Sequence, residues 1–148
     1  MSATALTAFG PSLLAAEANA QATALPYHSL GVAAAAAAIR KGEISSEAYA
    51  GALLGRARQN AGLNAFITID DTAVLAAARA ADKARAQGGD APLLGVPFAV
   101  KDSYMTHGLK TSFGTGLLRD YVPGADASVV ASLKSSGAIV LSLRCPMA

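Results

Sequence analysis

The chain has 148 residues, 53% of them hydrophobic and 15% charged, with a net charge of +2. That length suits one domain with a real core, and that balance argues against disorder for most of the chain. The basic residues are dispersed, as pairs such as Arg40-Lys41 and Arg56/Arg58, which argues against a nucleic-acid surface of clustered Lys and Arg interleaved with aromatics.

Alanine inflates the hydrophobic share; only 5% of residues are aromatic and none is Trp, so large core-filling side chains are scarce. A single cysteine, Cys145, excludes an internal disulfide and reads as a free thiol. No uninterrupted apolar stretch is long enough to span a bilayer. Residues 3–20 are apolar, and Ala18-Asn19-Ala20 resembles a small-residue cleavage site. No Lys or Arg precedes Arg40, however, and Gly10-Pro11 and Glu17 interrupt the run, so a loose Ala-rich leader is favoured over a secretion signal.

In chain order, residues 1–28 carry no sustained period and read as a weakly ordered Ala-rich arm, with room for a short helix near residues 12–22. Ser29 is placed to cap a helix over residues 30–40, in which the alanine run 33–38 favours helix, Lys41 suits the last turn and Gly42 supplies the stop. Ser45 or Ser46 opens a second helix to about Gln59, with Glu47 in its first turn. Residues 65–69, AFITI, are β-branched and aromatic and predict a short strand. Asp70 or Asp71 caps a third helix to about Gln87, whose polar face takes Arg79, Asp82, Lys83 and Arg85, with Asp82 and Arg85 as neighbours. Residues 93–100 form the next strand, which Pro97 makes an edge or irregular one. After a Gly-rich loop, Asp126 or Ser128 caps a last helix to about Ser135, Gly137 ends it, and residues 138–143 form a final strand. Strand, helix and strand in that order predict a parallel pair.

Lys101 is the main candidate for chemistry. It closes the apolar strand within GVPFAVKD. In an apolar site, desolvation would favour the neutral amine, which can act as a general base. Asp102 points to the other side of an extended strand and need not pair with it. By itself, a lysine after an apolar strand is usually structural or simply exposed. Ser103 would share the lysine's strand face but reads as a structural hydroxyl. His107 beside Gly108 reads as a turn histidine, since His28 is the only other histidine and no Cys/His cluster suggests a metal. Gly114 and Gly116 form no phosphate loop, because no Gly-Lys-Ser/Thr follows them; they suit a loop needing small residues beside a cleft.

The text around Lys101 changes the weighting. GVPFAVKD is followed by His107-Gly108-Leu109, Thr111-Ser112-Phe113-Gly114-Thr115, Asp120-Tyr121-Val122-Pro123, Asp126-Ala127, Val129-Val130 and Gly137-Ala138-Ile139-Val140-Leu141. Upstream stand Leu63-Asn64-Ala65-Phe66, residues 76–82, and Leu93-Leu94-Gly95-Val96-Pro97. In order and spacing, across roughly residues 29–141, this resembles the amidase signature family.

The resemblance implies an α/β fold, with N-terminal helices leading into part of a mixed-sheet core that is incomplete here. Residues 29–148 would be the N-terminal part of that domain, truncated before its Gly/Ser-rich catalytic segment. It implies hydrolysis of amides or transfer of their amino group, with no metal or organic cofactor, on a small-molecule amide in the full-length family. It also implies no nucleic acid and no membrane, a cytoplasmic setting, and either a homo-oligomer or association with a partner subunit. The family's catalytic set is a nucleophilic serine, a bridging serine and a lysine; the lysine matches Lys101, which would take a proton through the bridging serine. Both serines belong to the Gly/Ser-rich segment well beyond the lysine, and no residues after Lys101 form it. Ser135-Ser136-Gly137 is too near and reads as a helix end. Where the family usually continues with a Gly-Lys-Thr-Asn-Met-like stretch, this chain has Ser142-Leu143-Arg144-Cys145-Pro146-Met147-Ala148. The expectation is therefore a truncated or frame-shifted amidase start, inactive alone, with a non-catalytic interaction module as the alternative.

Overall fold

The computed structural model describes residues 27–67 and 69–143, and the side chains as far as Leu141. The expected leader, most of the arm, its short helix and Cys145 lie outside the described residues. Helices α1 (Val32–Lys41), α2 (Ser46–Gln59) and α3 (Asp71–Ala86) precede strand β1 (Pro97–Lys101); helix α4 (Ser128–Ser135) and strand β2 (Ile139–Leu143) follow a long loop. The two strands pair in parallel, from Pro97 opposite Ile139 to Lys101 opposite Leu143. Among the described residues no helix is long and apolar enough to cross a membrane.

The alanine run matters through burial. Ala35, Ala36 and Ile39 of α1 pack with Tyr49 and Val96, small side chains letting α1 approach closely. Tyr27, in a short 3-10 turn (Tyr27–Ser29), lies edge-on to Tyr49 with ring centroids 6.0 Å apart. A second cluster joins Ala50 and Leu54 of α2, Val74 and Ala78 of α3, and Ile139 of β2. Alternation along the strands puts Pro97, Ala99 and Lys101 on one face, level with Ile139 and Leu141.

The helix stops follow the sequence closely. Gly42 ends α1 at φ 74°, its N–H bonding Ile39 O while that of Glu43 bonds Ala38 O; both carbonyls would otherwise be orphaned. Two starts also hold: Ser45 accepts from Ala48 N on α2, and Asp70 accepts from Ala73 N on α3.

Other expectations are corrected. Ser29 does not cap α1; it sits in the preceding 3-10 turn, and Gly31, with no side-chain oxygen, takes the cap position. Residues 65–67 and 69 are irregular, because β-propensity is realised only in a ladder and these residues pair with neither β1 nor β2. The strand over residues 93–100 begins only at Pro97: Gly95 sits at φ 76°, and residues 92–95 form a turn. Pro97 is thus the first residue of its strand, where its missing N–H costs no ladder bond. Asp82 leaves the polar face for α2, accepting from Ser46 N at 2.8 Å and Glu47 N at 3.0 Å. With Ser45, it satisfies the first three N–H groups of α2. Ser46, fully buried, donates to Gly95 O at 2.6 Å and ties α2 to the entrance of β1.

Candidate active site

Lys101 ends β1 at the carboxyl edge of the parallel pair. In open α/β sheets the strand ends of this side are where ligands bind. Its side chain is exposed, and no described residue makes an ion pair or hydrogen bond with its ammonium. The chain turns at once, Tyr104 N donating to Lys101 O at 2.9 Å. Ser103 therefore lies exposed in a turn and does not extend the lysine's strand face.

Asp102 is the residue that sequence alone leaves without a role. It is only 3% exposed, and its carboxylate accepts from Ser112 Oγ at 2.5 Å, Ser112 N at 2.7 Å and Gly114 N at 3.2 Å. Its backbone carbonyl accepts from Phe113 N at 3.3 Å. Three successive N–H groups, those of Ser112, Phe113 and Gly114, thus converge on one residue. Phe113 at φ 54° and Gly114 at φ 73° make the concave backbone curl that suits an anion. Asp102 fills that curl and does not pair with Lys101. The only sequence trace is the adjacency of Lys101 and Asp102 with Ser112-Phe113-Gly114 downstream, and no local rule links the two.

The far end of the loop is fastened too. Ala127 N donates to Met105 O at 2.8 Å, Thr111 N to Tyr121 O at 3.0 Å, and Gly108 N to Pro123 O at 3.3 Å. Asp126 does not cap α4; it accepts from His107 N at 2.7 Å and from Lys134 Nζ at 2.8 Å through each oxygen. The Lys134 ammonium, with a smaller contribution from His107, holds the Asp126 carboxyl below its ordinary range against partial burial. A carboxyl depressed on folding stabilises above its unfolded value and loses that contribution as pH falls through its folded value. Asp126→Asn should therefore be less stable than the parent at neutral pH, with the gap closing below about pH 4. Urea midpoints at neutral and acidic pH would check this; a pH-independent gap would contradict it.

His107 is exposed and engages Asp126 only through its backbone, while His28 is exposed in the first 3-10 turn. Gly114 belongs to the curl around Asp102, and Gly116 opens a short 3-10 turn (Gly116–Leu118). The hydroxyls of Ser135 and Ser136 both donate to Ser132 O, at 2.8 and 2.9 Å, which gives them helix-end work. Two apolar grooves flank the sheet: one of about 540 Å³ between α3 and β2, and one of about 390 Å³ beside α2, Pro97 and Ala99. Lys101 lines neither of them.

The sequence model of the Amidase family matches residues 49–143. A glutamyl-tRNA(Gln) amidotransferase subunit from Desulforapulum autotrophicum is 44% identical over 118 residues, 79% of this chain and 24% of that protein. The protein of the same name from Pseudomonas aeruginosa is 43% identical over 115 residues, 77% of this chain and 24% of its own length. Among solved structures, the peptide amidase of Stenotrophomonas maltophilia superposes with a TM-score of 0.72 at 31% identity, covering 79% of this chain and 25% of the amidase. The chain thus spans about a quarter of the length of the relatives it matches. With the family match running from α2 to the end of β2 and the α/β arrangement shared with solved amidases, the chain belongs to the amidase family.

Proposed function

We propose that these residues form the lysine-bearing N-terminal part of an amide-bond hydrolase, with Lys101 as the base. The observation that carries the reading is an exposed lysine, without a hydrogen-bond or ion-pair partner among the described residues, at the carboxyl end of a parallel strand beside a loop fastened at both ends. A serine hydroxyl is a poor nucleophile until a positioned base takes its proton. Lys101 would take that proton through a bridging serine; the nucleophile would then attack the amide carbonyl, the same proton would pass back to the nitrogen so that it leaves as the amine, and water or another acceptor would release the acyl group. Both serines would come from the Gly/Ser-rich segment absent from these residues. The relatives named for a glutamyl-tRNA(Gln) amidotransferase support amide nitrogen as the group handled and association with a partner subunit.

On its own, this 148-residue chain should release no ammonia or amine from simple amides. A coupled ammonia assay on the purified chain, alongside Lys101→Ala, tests this. Turnover by the parent that disappears in the variant would show that the missing serines are not needed.

A further inference from the structure

We infer that Asp102 is a positioning residue, whose buried carboxylate clamps the Ser112–Gly114 curl across the end of β1 and so fixes the strand end that carries Lys101. The inference rests on Lys101 being the base. A carboxylate buried this far loses hydration and must recover it from donors. It does so from two N–H groups and one hydroxyl, with no cation among them. Those donors are therefore aimed by geometry, not gathered by charge.

The curl also carries strain. A bulky residue at positive φ is an outlier that persists only where its surroundings hold it. Phe113 is such a residue, and it is 46% exposed, so burial of its side chain is not what holds it there. The bonds from its own N–H and from both neighbouring N–H groups to Asp102 do so instead. The covalent link passes this constraint one residue back. Lys101 O is held by Tyr104 N on one side, and Asp102 is held by the curl on the other. A base misplaced by about 1 Å can cost a hundredfold in rate, so a rigid anchor beside it has a use beyond stability.

The test uses the intact chain with three variants, Asp102→Asn, Ser112→Ala and Ser112→Thr. Amide exchange at residues 112–114 and backbone order at Lys101 from ¹⁵N relaxation are the two readouts. Asp102→Asn should speed exchange at residues 112–114 about tenfold or more, the scale expected for losing one charge-assisted bond, and lower the order at Lys101. Amides in α2 and α3 should keep their parent rates. Ser112→Ala should move both readouts the same way by less, and Ser112→Thr, which keeps the hydroxyl, should restore them. If Asp102→Asn does not fold, the Ser112 pair decides alone. Faster exchange at residues 112–114 with Lys101 unchanged would overturn the inference and leave a structural clamp. Uniformly faster exchange would overturn it as well. Failure of the Lys101 reading would look different: an amidase carrying Lys101→Ala would stay active while the clamp remained intact.

Discussion

Lys101→Ala should reduce amide hydrolysis about a thousandfold in an enzyme that joins residues 30–143 of this chain to the remaining part of the Stenotrophomonas peptide amidase, since positioned bases contribute roughly 10²–10⁴. The solved amidase matches this chain over 79% of its length, so the exchange replaces like with like. The loss should fall on kcat. Lys101 is exposed at the strand end and pairs with no described residue, so nothing in its own packing requires the ammonium. Its removal should leave the fold intact and take away only the proton acceptor. Lys101→Arg should fail as completely, because a guanidinium keeps its proton throughout the accessible pH range. Lys83→Ala, on the polar face of α3, should leave activity unchanged. Hydrolysis of a peptide amide, followed as ammonia release, reads all three. Substantial activity in Lys101→Ala would end the reading of this lysine as the base.

The features legible in the sequence were those written by neighbouring residues. Ser45, Asp70 and Gly42 cap or end helices because their short side chains, or lack of one, act within a turn of their own position. The parallel pair followed from an apolar strand, a capped helix and a second apolar strand in succession. What could not be read depended on distant partners. Residues 65–69 have strand composition, but among the described residues no strand pairs with 65–67 or 69. Asp82 looked like a surface acid because α3 alone cannot reveal that the N-terminus of α2 lies against it. Asp126 stands where a cap would stand, yet its carboxylate is taken by Lys134, one helix length on, and by His107 in the loop. Asp102 was illegible for the same reason. Strand alternation was enough to turn it away from Lys101, but not to show that a buried carboxylate would find its donors in a loop ten positions later.

Two glycines that end helices make a second strong expectation, because they share a conformation and differ in what surrounds them. Gly42 closes α1 at φ 74° and Gly137 closes α4 at φ 87°, each followed by the same pair of backbone bonds to the last turn. A left-handed backbone costs an alanine about 1–2 kcal/mol over glycine at either site. At Gly42 an added Cβ would meet Arg85 Nη1 at 2.8 Å, the far end of a long side chain that can swing aside. At Gly137 it would lie 2.8 Å from Leu94 Cα and 3.1 Å from Leu94 N, and backbone cannot swing aside. That backbone is fixed from three directions: Leu93 N bonds Ser136 O, Gly95 N bonds Gly137 O, and Ser46 Oγ bonds Gly95 O. Relieving the clash would pull apart the entrance to both strands, an overpacking cost of about 1–3 kcal/mol on top of the backbone term. Gly137→Ala should therefore cost about 3 kcal/mol in all and Gly42→Ala about 1 kcal/mol. Urea unfolding followed by far-UV circular dichroism measures both, with midpoints compared at a common slope. Equal losses would mean that the close approach of Gly137 to Leu94 does not constrain the fold, and that the left-handed conformation alone sets the cost.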